Sequence, residues 1–440
     1  MPYILREEDW TILFSPTAKT RTNRATAMAL SALTEVLAVK AKQMPEIQGR
    51  VEEEPHCSGR GLATRKRVTK WYRVQLRLPF TVKYFEIFSA YLLNAATMPS
   101  GAIVNSVYTL DLNSAPAGSF KIKATRFGVE FFTETIENAT IAKIKLALEE
   151  NPAIGKNNVA VAAGGSANTF TITLQNALAG NIESDVLSLA LATGAPAGTT
   201  LTQTTAGTKR TALITEQSDQ LPDGFDFAAY DKKSPTNVYR YDYCAINSMS
   251  YNGSKSGDRE IVLDVLFAKK VKLDNITPVN CVTPTTVNPD WVGFKVTTAT
   301  GAVFVPATEF TGRIDAKLIT DEDAFPYGQI IDEWIQNNPT HSLSITTRGD
   351  NTDDLYEQIE AGEEDAEAGE ITGAIKAWIG SPKHQAIVNL PNARLTNGGL
   401  KFAGQSRRSR YTINAEAELA SDGTFQTIQI NNGQSVAYFG

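Results

Sequence analysis

Residues 74–92 read VQLRLPFTVKYFEIFSAYL, a stretch in which the apolar period changes from that of a strand to that of a helix. Apolar and polar residues alternate up to Phe80, which predicts a half-buried strand. From Lys83 to Ala96 large apolar side chains recur at helical spacing and predict a short amphipathic helix. Residues 103–112 are again extended in pattern. The sequence therefore predicts a strand, helix, strand unit.

The same order of elements recurs near residues 308–347. A strand is predicted over 310–320, an amphipathic helix carries an apolar stripe over 327–335, and a returning strand covers 343–347. The Asn-Pro pair at 338–339 is predicted to end the helix.

A further pair of similar segments lies downstream of each copy. Residues 244–247 open a hairpin that closes with 260–265, and residues 385–389 open one that closes with 411–416. Two correspondences in the same order indicate an internal duplication. The chain is therefore predicted to consist of two related β-rich halves.

A stretch rich in Ala, Thr, Gly and Asn separates the first unit from its closing hairpin. It predicts a helix capped by Asn138 or Thr140, whose apolar face includes Ile141, Ile144, Ala147 and Leu148. Two strands, around 159–162 and 169–174, are joined by a Gly-Gly turn. A module inserted at a surface loop explains this interruption.

These patterns predict the following organisation. An N-terminal arm, in which 25–42 favours a helix and 34–41 fits a strand equally well, precedes two β domains and a proline-rich linker. The boundaries are 1–50 for the arm, 51–118 and 209–276 for the first domain, 119–208 for the inserted module, 277–290 for the linker and 291–440 for the second domain.

Composition excludes several classes of protein. The 440 residues carry a net charge of -6, which argues against general affinity for nucleic acid. No apolar run approaches the roughly 18 residues that span a membrane, and the acidic and basic N-terminus lacks a signal-peptide core, so cytoplasmic synthesis is expected. Cys57, Cys244 and Cys281 lack the spacing of a disulfide scaffold or zinc site.

The motifs of common enzymes are missing. The sequence has no GxSxG elbow, no P-loop and no GxGxxG after a strand, and its three histidines are scattered. Residues 253–257 only superficially resemble a phosphate loop and are better interpreted as a hairpin turn. We therefore predict no catalytic residue, cofactor or metal site.

Charge is concentrated in two places. The first, the basic stretch of residues 60–77, combines seven cations with Trp71 and Tyr72 and holds no carboxylate. These cations are Arg60, Arg65, Lys66, Arg67, Lys70, Arg73 and Arg77. Such a pattern can bind single-stranded nucleic acid, but alternation places the cations on the outer face of a strand and favours contact with an acidic partner surface.

The second concentration, residues 350–370, holds ten carboxylates and no cation. Its spacing does not follow the calcium-binding EF-hand loop. Repulsion between like charges predicts a solvated, mobile loop that becomes ordered only against a basic surface.

Taken together, the chain resembles the tail tube proteins of long-tailed bacteriophages, specifically the larger kind with two tube domains in one polypeptide. The resemblance rests on the duplicated units, the basic segment before the first helix, and the hairpins beginning at 245–247 and 386–389. Independently, the inserted stretch resembles a small module that recurs in phage structural proteins. Its matching segments are 138–140, 147–150, 152–155, 158–161, 169–173 and 177–180.

The resemblance implies a mainly β fold in which each half is a β-sandwich or barrel with a flanking helix. It implies a virion protein that polymerises into a hollow tail tube, with itself, a tape measure protein, a tail terminator and baseplate or tail-tip proteins as partners. Two domains per chain would make three chains a trimeric ring of pseudo-sixfold symmetry. Genomic DNA would pass through the lumen without specific binding. The lumen must then be acidic or neutral, because contacts between cations and phosphates would hold the DNA in place.

On this basis the basic stretch, residues 60–77, is expected at contacts between subunits or between rings rather than in the channel. There it would meet the acidic stretch, residues 350–370, of a neighbouring subunit. The acidic residues assigned to this contact are Asp353, Asp354, Glu363, Glu364 and Asp365. Alternative interpretations are a phage sheath, fibre or capsid decoration protein, and less readily an extracellular binding module or an enzyme.

Overall fold

The computed structural model describes residues 10–15, 29–39, 46–48, 51–55, 62–67, 70–93, 96–97, 103–113, 118–180, 183–208, 212–215, 224–231, 234–254, 259–273, 276, 279, 286–287, 290–320, 334–337, 339–348, 353–364, 371–401 and 410–433. Their secondary structure is mainly antiparallel β, which confirms the predicted fold class.

The described elements before residue 103 are strands, a 3-10 turn and one α-helix. In chain order they are β1 (Trp10–Phe14), a 3-10 turn (Leu30–Ala32), β2 (Glu35–Val36), β3 (Glu46–Gln48), β4 (Val51–Pro55), β5 (Leu62–Arg67), β6 (Trp71–Pro79), α1 (Val82–Leu93) and β7 (Ala96–Thr97).

The inserted stretch contains short strands around one helix. They are β8 (Val107–Asp111), β9 (Ser119–Phe120), β10 (Ile122–Arg126), β11 (Val129–Phe132), β12 (Ile136–Glu137), α2 (Ile141–Glu150), β13 (Val159–Ala163), β14 (Thr169–Leu174), a 3-10 turn (Asn176–Leu178), β15 (Ser188–Leu191) and β16 (Thr200–Thr205).

The described elements in the remainder of the chain are strands of two to 21 residues and one α-helix. They are β17 (Ala212–Thr215), β18 (Phe225–Asp231), β19 (Ser234–Ser254), β20 (Glu260–Leu273), β21 (Val292–Thr298), β22 (Gly301–Val305), β23 (Ala307–Asp315), β24 (Leu318–Ile319), β25 (Ile335–Gln336), β26 (Thr340–Arg348), α3 (Asp353–Glu364), β27 (Thr372–Ile379), β28 (Gln385–Lys401), β29 (Arg410–Ala417) and β30 (Thr427–Asn431).

An internal repeat is present in the pairing of these strands. In the first half the antiparallel order is β2, β1, β18, β19, β20, β6, β3. In the second half it is β22, β21, β27, β28, β29, β26, β23. Corresponding strands also follow one another in the same order along the chain. Each half therefore contains the same seven-strand sheet, with a helix after the corresponding strands β6 and β26.

The repeat is aligned differently from the sequence prediction. Strands β6 and β26 are both nine residues long, and their buried side chains begin at the second residue, Tyr72 and His341. The strand that the sequence matched to β6, predicted over 310–320, corresponds instead to β3 through its pairing with β26. The returning strand predicted over 343–347 is the true counterpart. The predicted correspondence is therefore displaced by one strand from the one that the strand pairing shows.

The two repeats are joined edge to edge into one sheet. Strand β19 pairs antiparallel with β23, from Ser248 opposite Asp315 to Ser254 opposite Glu309. One hydrophobic core contains buried side chains of both repeats, and α1 lies within it with every residue except Lys83 buried. The Thr81 hydroxyl caps this helix by accepting the Tyr84 amide at 3.0 Å. The halves therefore fold around a shared interior.

The inserted module includes more of the chain than predicted, because a strand outside the predicted bounds pairs with it. Strand β8, expected to return to the first sheet, pairs with β14 and β16 of the module. Val104 also bridges to Thr208. Its helix is capped by Thr140 as predicted, with Ile144, Ala147 and Leu148 buried, but Ile141 is exposed. The strands β13 and β14 pair as predicted.

Three other predictions need correction. Residues 353–364 form helix α3 rather than a loop, because Leu355, Tyr356 and Ile359 are buried on one side of it. The second predicted helix lies mostly outside the described residues, and at its end Ile335–Gln336 is a strand paired with β24. The second predicted hairpin forms between β28 and β29, but the residues of β28 that pair with β29 are 393–401. Residues 385–389 pair with β27 and β30 instead.

Other elements agree more closely with the sequence. The first hairpin forms as predicted between β19 and β20. Helix α1 spans Val82–Leu93, so it begins one residue before the predicted 83–96 region and ends three residues before that region does. In the arm, the predicted strand is reduced to Glu35–Val36 and the helical prediction to a 3-10 turn. No helix among the described residues combines the length and apolar character needed to cross a membrane.

Candidate assembly surface

Within the described part of the chain, β2 and β22 pair on one side only. Two further open edges are the counterparts of the strands that join the repeats. One is β3, which pairs with β6 on one side only. The other is the end of β28, residues 396–401, which pairs with β29 but lies beyond the last residue paired with β27, Arg394. Unpaired strand edges bind other strands readily. Each of these edges therefore has backbone groups available to a further strand.

A carboxylate covers the open edge of β28. The Asn397 amide donates to Oε1 of Glu363 at 2.7 Å, and the Asn397 side chain donates to the Tyr356 hydroxyl at 2.7 Å. Both partners belong to α3. Because the Asn397 amide reaches α3 and not β29, it points toward the open side of the strand. Helix α3 thus satisfies an edge amide with an exposed, displaceable group.

Helix α3 carries the acidic stretch that the sequence assigned to assembly. Its exposed side includes Glu357, Glu360 and Glu363. Of the other assigned residues, Asp353, Asp354 and Glu364 lie within the helix, whereas Asp365 lies outside the described residues. The ring of Tyr356 packs on Tyr411 with centroids 4.3 Å apart. The acidic surface is therefore presented by a helix fixed to the second repeat.

The basic stretch extends over β5 and β6, and its described side chains have contacts within the chain. Arg73 makes two hydrogen bonds to the Asp264 carboxylate, at 2.7 and 2.9 Å, which raise the pKa of the guanidinium. Arg77 lies 3.9 Å from Glu260, and Lys70 lies 5.2 Å from the Tyr72 ring centroid. Arg60 lies outside the described residues.

Other contacts disfavour nucleic-acid stacking on this stretch. Tyr72 is buried and stacks on Phe267 with centroids 4.9 Å apart and an interplanar angle of 6°. Its ring cannot also receive a base. The structure therefore removes one of the two aromatic platforms on which the nucleic-acid alternative depended.

Strands β4 and β5 form a hairpin of opposite charges. In its register Glu52 lies opposite Lys66, Glu53 opposite Arg65 and Val51 opposite Arg67. Cross-strand pairs of opposite charge stabilise antiparallel strands modestly. Part of the predicted assembly surface thus has acidic residues of its own chain in register with it.

The joint between the repeats contains a buried polar network. The Tyr251 hydroxyl lies 2.8 Å from Nε2 of His341, and Nδ1 of His341 contacts Oε1 of Gln426. An amide oxygen only accepts, so Nδ1 carries the proton and Nε2 accepts from the tyrosine. Burial lowers the pKa of His341 to about 4 and raises that of Tyr251. The network is neutral and structural.

At the joint, aromatic rings also lie close to the backbone of the facing strand. A Cβ at Gly312 would lie 2.0 Å from the Tyr251 ring, and one at Gly253 would lie 2.8 Å from Phe310. Glycine permits such approach because it has no side chain. The sequence interpretation missed these positions, although a glycine and a histidine inside alternating strands were available signals.

No group of three or more potential metal ligands occurs among the described residues. Cys244 is buried, and its thiol contacts the Tyr241 carbonyl oxygen at 3.3 Å. Cys57 and Cys281 lie outside the described residues.

Comparison with known proteins gives no assignment. No protein-family model and no curated protein matches the chain.

Proposed function

We propose that this chain is a structural virion protein of a bacteriophage, which polymerises into the hollow tail tube. Three chains would form a ring of pseudo-sixfold symmetry, and stacked rings would form the tube. The proposed partners are further copies of this chain, a tape measure protein, a tail terminator and baseplate or tail-tip proteins. Genomic DNA would pass through the lumen without specific binding.

The repeated seven-strand sheet is the observation that carries this proposal. The two copies have the same strand order and are joined edge to edge by β19 and β23. Closed symmetric assemblies place equivalent surfaces in equivalent contacts. Two similar sheets in one chain allow three chains to supply six nearly equivalent positions, and a continuous barrel would leave no sheet edge exposed.

Charge is compatible with a passage for DNA. The chain has a net charge of -6, and Arg73 and Arg77 lie near carboxylates of the same chain. Cations already paired in this way make weaker contacts with phosphate. A lumen lined by such a protein would retain few counterion-releasing contacts, so DNA could slide.

Electron microscopy of the purified protein, with its mass from light scattering, tests the proposal. We expect hollow tubes, or rings of three chains whose projections show six lobes around a central hole. A monomer that persists at high protein concentration would overturn the tube assignment and favour a decoration or binding protein. Contracted cylinders that require a second, inner protein would favour a sheath.

A further inference from the structure

The joint between the repeats is a template for the contact between chains. We infer that Thr396–Lys401 of one copy pairs antiparallel with Glu46–Gln48 of a second copy, head to tail. This inference rests on the proposed ring and specifies which strand edges build it. It requires that the relation between the two repeats be continued from one chain to the next.

The alignment of the repeats fixes which strands correspond. Strand β23 pairs with β26 on one side and with β19 on the other. Its counterpart β3 pairs with β6, the counterpart of β26, and no described strand lies on its other side. Strand β28 is the counterpart of β19 and is open where β19 receives β23. The missing pair is therefore β28 with β3 of another copy.

The register of the predicted contact follows from residues that occupy equivalent positions in the two repeats. Aligning Trp71 with Thr340 makes Asp264 of β20 equivalent to Asn414 of β29. These residues lie opposite Ser248 and Thr396 respectively, so Ser248 and Thr396 correspond.

In the internal joint Ser248 lies opposite Asp315, which in turn lies opposite Thr340. The residue opposite Trp71 is Gln48. Gln48 is therefore the counterpart of Asp315. The predicted contact places Thr396 of one copy opposite Gln48 of the next.

The hydrogen bonding at the β28 edge agrees with this register. Asn397 follows Thr396 and would lie opposite Ile47 of the second copy. Its amide points to the open side, where Glu363 now accepts it at 2.7 Å. A backbone carbonyl of the incoming strand can replace that carboxylate oxygen. Glu363 then acts as a cover that prevents indiscriminate edge pairing before assembly.

The two surfaces in this contact differ, so the contact is heterologous. Each chain offers β28 to one neighbour and β3 to the other, and such contacts generate rings when the rotation closes. Pairing of two β28 edges with each other would instead give a closed dimer. The occupant of each edge is thus a second copy of this chain, in one orientation.

Disulfide cross-linking tests the register directly. We would combine Thr396→Cys with Gln48→Cys in full-length protein in which Cys57, Cys244 and Cys281 are replaced by Ser, Ala and Ser. Directly opposed residues of antiparallel strands have Cα atoms within the range that a disulfide spans. We expect most chains in covalently linked species after mild oxidation, ending at the trimer if the ring closes.

Matched controls use the internal joint and the single variants. Ser248→Cys with Asp315→Cys should form a disulfide within one chain, since these residues are directly opposed. Neither Thr396→Cys nor Gln48→Cys alone should cross-link. Covalent dimers from Thr396→Cys alone would overturn the head-to-tail pairing.

The outcomes separate this inference from the proposed function. Rings in micrographs without the cross-link overturn the pairing and leave the tube assignment standing. Cross-linked chains that form no ring or tube support the pairing and contradict the tube. Absence of both the cross-link and the rings overturns both.

Discussion

At the scale of residues, a few buried groups fix how the two repeats meet. Tyr251 projects from β19 over Gly312 of β23, where a side chain larger than hydrogen would collide with its ring. Its hydroxyl is satisfied by His341, which is itself held by Gln426. Buried polar groups that are fully paired specify one arrangement of a core. This network therefore favours a single register at the joint.

The stability of the protein should depend on the neutral form of His341. Folding lowers its pKa from 6.5 to about 4, so between these values the unfolded chain binds a proton that the folded chain does not. Stability from this group is complete above pH 6.5 and is lost as pH falls toward 4, by about 3 kcal/mol. We expect His341→Gln to reduce this acid-induced loss in urea unfolding.

Carboxylates contribute to acid destabilisation in both proteins, so the difference between their pH profiles isolates His341. His384→Gln is a suitable control, because His384 is exposed, in contrast to His341, although its pKa is also lowered. It should change the profile less. Identical profiles of the wild-type protein and His341→Gln between pH 7 and 4 would contradict the buried network.

At the scale of elements, helix α3 and the β4–β5 hairpin present the acidic and basic stretches. Helix α3 forms because Leu355 and Ile359, four residues apart, reach the core while carboxylates face solvent. The hairpin brings Glu52 and Glu53 opposite Lys66 and Arg65. Charge at each surface is thus held in a defined element.

Reversing the charge of the hairpin should separate ring formation from stacking. With Arg65, Lys66 and Arg67 all changed to Glu, we expect rings to form and tubes to be lost. The cause would be repulsion from the acidic stretch of an adjacent subunit. Micrographs and sedimentation of the same preparation would give the ratio of rings to tubes.

The reversal also places like charges opposite one another within the hairpin. A swapped variant in which Glu52, Glu53 and Glu54 additionally become Lys restores opposite charges in register. We expect it still to form rings without tubes. Normal tubes from the triple reversal would show that these cations do not make the stacking contact, and tubes regained by the swap would assign the defect to the hairpin.

At the scale of the whole molecule, the inserted module fastens the first repeat to the second. It interrupts the first repeat in sequence, yet its core continues onto Trp291, Trp378 and Ile387 of the second. Lys295 and Lys376 bind Asp185 and Glu183 of the module at 2.9 and 2.7 Å. The module covers the face of β21 and β27 opposite the shared core. The inserted module is therefore packed firmly against the second repeat.

The closest packing at this contact predicts a measurable coupling. A Cβ at Gly293 would lie 2.2 Å from the ring of Phe127 in the module. Gly293→Ala should therefore destabilise the protein by about 1–3 kcal/mol through overpacking. In a Phe127→Ala background the same change should cost little, because the colliding ring is absent. Unfolding free energies of the four proteins form a double-mutant cycle.

Equal costs of Gly293→Ala in both backgrounds would contradict docking of the module at this position. Gly165 provides a control, since a Cβ there meets no atom within 4 Å. Its change to Ala should leave the Phe127→Ala effect unaltered. A coupling energy above about 0.5 kcal/mol at 293 and none at 165 would locate the contact.

Local order was determined by the sequence. Strand β6 and helix α1 follow from apolar periodicity within 74–92, the first hairpin from its paired extended segments, and the Thr140 cap from a side chain three residues from its partner. The existence of a duplication was also readable. These features depend on neighbours along the chain, so composition and spacing suffice to predict them.

Which strands pair with one another was decided only by the tertiary structure. Strand β8 pairs within the module, β3 corresponds to β23, and an acidic stretch folds as a helix because two apolar side chains find the core. Strand pairing joins residues hundreds of positions apart, and every short amphipathic strand satisfies the same period of two. Which edges pair and which remain open is therefore set by packing around α1 and by the joint at Tyr251.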